Sequence, residues 1–189
     1  MKKKEEYKSH VRNMGSAIAS RPESIDSWKY NMALFVILLL SLVIYLPVLH
    51  NGLLDWDDNS YIRDNPLIHS FNLKAIFSQN VMGNYHPFTV LGLAMEYHLF
   101  GLSATGYHSI NLLLHLLNTI LVFKVVSLLS EKPGIALVAS LLFGIHPIHV
   151  ESVAWASELK DLLYTFFFLS SYFFYLKYLK TAQKKNYVF

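Results

Sequence analysis

Four carboxylates lie within ten residues of this chain, directly after a long uncharged run at 32–49. They are Asp55, Asp57, Asp58 and Asp64. Acidic side chains beside a membrane-spanning segment are costly unless they are solvated or used. A carboxylate at a membrane surface can act as a general base that removes the proton of an acceptor hydroxyl. The adjacent pair Asp57 and Asp58 is therefore a candidate catalytic centre, although such a pair is also typical of a solvated turn.

A second group of polar side chains follows a later apolar run and consists of His146, His149, Glu151, Glu158, Lys160 and Asp161. A leaving phosphate is stabilised by nearby cations and hydrogen-bond donors. If both groups face the same side of a membrane, Arg63, Lys160, His146 and His149 are the candidates for this role. Metal binding by His146, His149 and Glu151 is an alternative. These three span a predicted helix break and do not share one helical face, so no metal or other cofactor is predicted.

The composition is that of a membrane protein. Hydrophobic residues make up 53% of the 189 residues and charged residues only 15%, whereas about a quarter of an average soluble domain is charged. The net charge of +3 comes from basic residues that are concentrated near the two ends. This distribution indicates membrane topology and gives no reason to expect a nucleic-acid partner. The absence of cysteine excludes disulfides, thiol catalysis and zinc-thiolate sites.

Four apolar runs predict an all-α fold, a bundle of about four membrane-spanning helices at 32–49, 107–129, 135–148 and 162–179. The cytoplasmic side of a membrane protein is enriched in Lys and Arg. The polar leader 1–31 and the end 181–189 are therefore predicted to be cytoplasmic. The loops 50–106 and 149–161 are predicted to face the outer side, which places both polar groups on one face.

The large first loop is predicted to carry short helices that lie in the membrane interface. Apolar residues between Phe71 and Val81 fall near helical spacing. A second helix is predicted to begin at Pro87, a favoured first-turn residue, and to stop before Gly101. The alternative, a true span at this position, would reverse the orientation of everything that follows. Its apolar run is shorter than the about 20 residues that cross a bilayer.

The predicted span 107–129 carries a stripe of polar residues. These are His108, Asn111, His115 and Asn118, whose spacing places them on one helical face. Such a stripe can hydrogen-bond neighbouring helices. It could also line a path for a transported substrate.

Five short sequence blocks carry further information on the protein's family. In chain order they are Asp-Trp-Asp-Asp at 55–58, Asn-Tyr-His-Pro at 84–87, Gly-Tyr-His at 106–108, Asn-Leu-Leu-Leu-His at 111–115 and His-Pro-Ile-His-Val-Glu-Ser-Val-Ala-Trp at 146–155. As a set, and in this order, they resemble the TMTC-type O-mannosyltransferases and their bacterial relatives, membrane proteins with a C-terminal tetratricopeptide-repeat domain. The resemblance implies a partial C-type glycosyltransferase fold within residues 32–180.

The resemblance also implies an activity and a set of site residues. Members of the family transfer a sugar from a polyprenyl phosphate, with inversion, to an acceptor hydroxyl, which is on protein in the eukaryotic members. By motif, Asp57 and Asp58 correspond to the acid pair, one of which is the catalytic base. His146, His149 and Glu151 correspond to residues that line the same cavity. In this interpretation the donor phosphate is also contacted by His86, by Arg63 and by Lys160, the last two on grounds of charge alone.

The favoured interpretation is therefore the N-terminal part of a membrane glycosyltransferase. Its expected partners are a polyprenyl-phosphate-linked sugar, a hydroxyl acceptor and membrane lipids. Two other classes remain open: a non-catalytic membrane anchor or scaffold of the same family, and a transporter or channel fragment. The leader and the resemblance favour a bacterial inner membrane, although an endoplasmic reticulum membrane satisfies the same topology. The apolar residues at 187–189 suggest a truncated protein.

Overall fold

The computed structural model describes residues 27–181, which consist of helices and turns and contain no β-strand. The helices of this part are α1 Ser27–Tyr45, α2 Pro66–Ser70, α3 Leu73–Ile76, α4 Pro87–Phe100, α5 Ala104–Ser130, α6 Pro133–Ile145, α7 Val150–Ala154 and α8 Leu159–Thr181. Shorter turns are the 3-10 segments Leu46–His50, Pro147–His149 and Ala156–Glu158 and the π-helical segment Asn59–Arg63. The predicted all-α membrane bundle is confirmed. Most of the predicted leader and the predicted end 181–189 lie outside the described residues.

Three segments are long and apolar enough to cross a membrane: Trp28–His50, Ala104–Ser130 and Ala156–Lys180. A fourth candidate consists of α6 and the segment Pro147–Ala154, which are bent by 47° relative to each other. Pro147 has no N–H to donate, so a helix cannot run through it without interruption. Counting the bent pair as one span gives four. The chain is a multi-pass membrane protein.

The polar stripe on α5 joins this helix to its neighbours. All four stripe residues are fully buried. Polar side chains that bond across helices help to hold membrane bundles together. Three of them bond backbone carbonyls of other elements: Asn111 donates to Trp155 (2.9 Å), Asn118 donates to Leu162 (3.0 Å), and a ring nitrogen of His115 lies 3.0 Å from the oxygen of Gly144.

Helices α1, α5 and α6 make a close contact at Gly144. A Cβ added there would lie 2.5 Å from the hydroxyl oxygen of Ser41 and 3.2 Å from the methyl carbon of Thr119. Ser41 and Thr119 are both fully buried, which leaves little space for either to move. The absence of a side chain at Gly144 is what allows the three backbones to approach.

Gly144→Ala is expected to lower the free energy of unfolding by about 1–3 kcal/mol, the usual cost of overpacking. The measurement is the midpoint of thermal unfolding in detergent. Gly134→Ala is the matched control, because it lies in the same helix and an added Cβ there has no atom within 4 Å. Equal midpoints for the two variants would show that the helices do not meet tightly at Gly144.

The segment between α1 and α5 contributes Ile62, Ile68, Ile76 and Leu93 to an apolar core that it shares with Tyr107 of α5 and Leu159 of α8. The helix predicted between Phe71 and Val81 is much shorter in the structure, where only α3 forms. Phe71 adopts a left-handed conformation (φ 49°) that ends α2. Asn72 then caps α3 by accepting the N–H of Ala75 at 3.1 Å.

Helix α4 buries a carboxyl group. It is 14 residues long and lies between the candidate spans. Its Glu96 is 4% exposed, and Oε2 has no hydrogen-bond partner among residues 27–181. Removing an ionised carboxylate from water is costly. Burial therefore raises the pKa of Glu96 to about 8.

This shift predicts a pH-dependent stability. Between the pKa of about 4.3 of an unfolded Glu and about 8, the folded state binds more protons than the unfolded state. The free energy of unfolding is therefore expected to fall as pH rises through this window, by up to about 1.4 kcal/mol per pH unit. Unfolding midpoints at about pH 5 and about pH 9 measure the effect. The Glu96→Gln variant should show a clearly smaller difference, and an equal difference in both proteins would contradict the assignment.

Candidate active site

Asp58 connects the acidic segment to the 3-10 turn Ala156–Glu158, directly before α8. Its side chain is fully buried. The backbone N–H of Leu54 donates to Oδ2 at 2.8 Å, and the backbone N–H of Ser157 donates to Oδ1 at 3.0 Å. Both carboxylate oxygens are thus occupied by backbone donors. Asp58 holds together two segments that are 99 positions apart in the sequence.

The neighbouring Asp57 differs from Asp58 in burial and in hydrogen bonding. Its side chain is half-buried, and within residues 27–181 no donor binds its carboxylate. An ionised carboxylate accepts hydrogen bonds at both oxygens, so Asp57 retains this capacity for a substrate. Of the two predicted catalytic acids, Asp58 is therefore occupied by backbone hydrogen bonds, whereas Asp57 can accept a hydrogen bond from a substrate.

Arg63 binds other residues of the acidic segment and so stabilises this loop. Its guanidinium pairs with Asp55, donates to the side-chain oxygen of Asn59 at 3.0 Å and donates to the carbonyl of Leu53 at 3.0 Å. These bonds use much of its donor capacity inside the loop. Arg63 lies outside the two cavities described below.

The first of these cavities, called here the aromatic groove, lies between the start of α4 and α8 and has a volume of about 630 Å³. His86, Lys160 and Asp161 are among its charged and polar groups. Phe167 and Phe168 line it roughly 10 Å further along α8, at 1.5 Å per residue. Both phenyl groups are 56% exposed and belong to a candidate span. The groove thus combines a polar end with an apolar side that is exposed on a candidate membrane span.

Lys160 supplies a cation to this groove. Its Nζ lies 2.6 Å from Oε1 of Glu158, which is only 8% exposed. An ammonium group carries three donors, so the pair with Glu158 leaves donors that can reach a ligand. His86 lies directly before α4, and its side chain makes no capping hydrogen bond there.

The second cavity, called here the polar cavity, has a volume of about 460 Å³ and lies beside α7 and α8. Its polar lining is Asn118, His149, Glu151, Ser152, Asp161 and Thr165. Two of the predicted site residues, His149 and Glu151, therefore come together here. Within residues 27–181, no group of three or more His, Asp or Glu side chains is placed to hold a metal ion.

His146 has a local structural contact. Its Nδ1 accepts the backbone N–H of Ile148 at 3.1 Å and so caps the 3-10 turn that follows α6. The imidazole is exposed and lies outside both cavities. Of the predicted site residues, the structure thus brings His86 and Lys160 to one cavity and His149 and Glu151 to the other. The two predicted catalytic acids, Asp57 and Asp58, line neither cavity.

Sequence comparison finds known proteins that are similar to this chain. The human protein O-mannosyl-transferase TMTC3 is 33% identical over 133 residues, which are 65% of this chain and 14% of that protein. The Caenorhabditis elegans protein O-mannosyl-transferase F38B6.6 is 31% identical over 158 residues, 76% of this chain and 23% of that protein. Human TMTC4 is 34% identical over 132 residues, 62% of this chain and 18% of that protein. The chain is a TMTC-like relative.

The chain spans less than a quarter of the length of each of these TMTC relatives. No profile of a known protein family matches it. No solved structure matches it either.

In this TMTC-like chain, the sequence analysis places Asp161 in the second polar group without giving it a role, and it does not single out Tyr164. Asp161 and Tyr164 line both cavities and form the wall between them. The sequence does hold a signal for the groove, because Tyr164, Phe167, Phe168 and Ser171 are spaced by three, one and three and therefore share a helical face. The sequence alone did not show which helix packs near that face.

Proposed function

We propose that the protein acts in a membrane glycosyltransferase that transfers a sugar from a polyprenyl phosphate to an acceptor hydroxyl, on protein, at the outer face of the membrane. The observation that carries this proposal is the aromatic groove with a cation at its polar end, adjoining a second, polar cavity. The names of the relatives, protein O-mannosyl-transferases, support the same class of reaction.

The groove suits a donor that is apolar along most of its length and anionic at one end. The isoprenoid chain would lie against Phe167 and Phe168, which are accessible from the membrane. The phosphate would lie at the polar end, where the ammonium of Lys160 and the imidazole of His86 can donate to its oxygens. His86 and Lys160 are only partly buried, so a charged head group at this end would remain partly solvated.

Asp57 is the proposed general base. Its carboxylate takes the proton of the acceptor hydroxyl, and the hydroxyl oxygen forms a bond to the anomeric carbon of the sugar. The bond from that carbon to the phosphate oxygen breaks, and the phosphate leaves with the electron pair, stabilised by Lys160 and His86. Attack from the face opposite the leaving phosphate inverts the anomeric configuration.

The remaining predicted site residues have supporting roles in this proposal. Asp58 positions Asp57 by binding Ser157, three residues before Lys160. His149 and Glu151 bind substrate in the polar cavity. Arg63 and His146 stabilise the loops that carry these groups, through the contacts described above.

The orientation follows from the distribution of basic residues. The leader 1–31 and the end 181–189 are placed in the cytoplasm, and 50–106 and 149–161 on the outer side. A bacterial inner membrane fits this orientation, and so does an endoplasmic reticulum membrane.

Binding of two donor fragments tests the groove. Farnesyl phosphate is expected to bind the purified protein at least about tenfold more tightly than farnesol, because a charge-assisted contact contributes about 1.5 kcal/mol or more. His86→Gln should weaken the binding of farnesyl phosphate and leave farnesol unchanged. His50→Gln is the control, because His50 is exposed and lies outside the groove. Equal affinity for the two ligands would contradict the proposal and favour a non-catalytic anchor.

A further inference from the structure

The two cavities meet at a common wall but differ in lining. The wall consists of Asp161 and Tyr164, which contribute to both. On one side, the aromatic groove continues along α8 through Phe167 and Phe168. On the other side, Thr165 lies in the polar cavity. A ligand that bridges this wall would have an apolar part and a part rich in hydrogen-bonding groups.

Asn118, one of the residues that line the polar cavity, carries an unpartnered acceptor. Asn118 is fully buried, and its amide nitrogen donates to the carbonyl of Leu162 at 3.0 Å. Its Oδ1 has no partner within residues 27–181. A buried acceptor without a donor is costly, and Asn118 lines the cavity. A hydroxyl group of a ligand would satisfy this oxygen.

The other polar groups of the cavity include both donors and acceptors. Glu151 and Asp161 accept, Ser152 and Thr165 do both, and His149 does either according to its tautomer. A ligand that carries many hydroxyl groups can use such a mixed set. Asp161 lines both cavities, but the second carboxylate, Glu151, lines only this one, and the cation of Lys160 lines only the groove. The polar cavity is therefore the less favourable of the two for an anion, whereas a neutral polyol has no such penalty. The volume of about 460 Å³ is within the usual range of small-molecule sites.

We infer that the polar cavity binds the sugar of the donor, a neutral hexose-type polyol, while the aromatic groove holds its polyprenyl phosphate. The bond between sugar and phosphate then lies beside Asp161 and Tyr164. The ring of Tyr164 offers an apolar surface to the sugar, and Asn118 accepts one of its hydroxyl groups. This inference rests on the proposed function and specifies which cavity takes which part of the donor.

A series of matched ligands tests the inference on the purified full chain. Farnesyl phosphate is compared with farnesyl phosphate that carries mannose, glucose or N-acetylglucosamine. At least one glycosylated form is expected to bind about tenfold more tightly than farnesyl phosphate, the size of one or two additional hydrogen bonds. Thr165→Val and Glu151→Gln should each reduce this gain and leave the affinity for farnesyl phosphate unchanged.

Ser171→Ala is the matched control, because Ser171 lines only the aromatic groove. It should leave the gain from the sugar unchanged. If no glycosylated form binds more tightly than farnesyl phosphate, the inference is wrong although the proposed donor site stands. The inference is also wrong if Thr165→Val and Glu151→Gln weaken farnesyl phosphate as much as the glycosylated form. If the wild-type protein binds none of these ligands, the proposed function fails and the inference fails with it.

Discussion

Asp57→Asn is expected to reduce sugar transfer by about 10²–10⁴-fold, the usual contribution of a general base. An amide has nearly the shape of a carboxylate but cannot take the proton of the acceptor hydroxyl. Because no residue of 27–181 donates to the carboxylate of Asp57, the substitution breaks no internal hydrogen bond of that region. The unfolding midpoint and the affinity for farnesyl phosphate should therefore stay near those of the wild-type protein. The measurement is the initial rate of transfer from a labelled donor in lipid vesicles.

Asp64→Asn is the matched control for this result. Asp64 belongs to the same acidic segment and carries the same carboxylate, but it is exposed and has no role in the proposed reaction. Its variant should transfer sugar at close to the wild-type rate. A rate for Asp57→Asn within about threefold of the wild-type rate would rule out Asp57 as the base.

Asp58→Asn is expected to destabilise the fold. The new amide nitrogen is a donor, so it cannot accept the N–H of Leu54 or of Ser157, whichever it faces. A hydrogen bond to a charged group contributes about 1.5–3 kcal/mol, and a buried donor left without a partner adds to this cost. The free energy of unfolding should therefore fall by about 2 kcal/mol or more. The measurement is the midpoint of thermal unfolding in detergent.

Asp57→Asn is also the control here, because it makes the same chemical change one position away. Limited proteolysis gives a second readout, since release of Ser157 should expose the loop that carries Asp58 to cleavage. Equal unfolding midpoints for the two variants would refute the role of Asp58 as the connection between the two segments.

Much of the helical architecture could be predicted from the sequence. Length and continuity of apolar residues indicate membrane spans whatever their neighbours are. The helix from Pro87 to the residue before Gly101 could also be predicted. Pro favours the first turn of a helix and Gly favours the position that follows its last turn, and both preferences are local. The helix expected between Phe71 and Val81 forms only over Leu73–Ile76. Its apolar spacing did not reveal the left-handed conformation at Phe71, which separates it from α2.

The division of roles between Asp57 and Asp58 could not be predicted. The two residues are chemically identical and adjacent, and the difference between them comes from the N–H of Ser157, which is distant in the sequence. The two cavities were also beyond sequence reasoning, because they depend on how α4 and α7 pack against α8. The polar stripe of α5 was ambiguous for the same reason. Its two interpretations, contact with other helices and a transport path, are distinguished by the backbone carbonyls of Trp155 and Leu162, which lie outside α5.

The most direct measurement is transfer of a labelled sugar by the purified protein in lipid vesicles. The donor is a polyprenyl phosphate labelled in its sugar, and the acceptor is a peptide rich in Ser and Thr. Label is expected to appear in the peptide, attached through a hydroxyl oxygen, at a rate that depends on Asp57. If the label stays on the lipid with every donor sugar tested, or reaches the peptide equally fast with Asp57→Asn, the glycosyltransferase assignment of this site is contradicted.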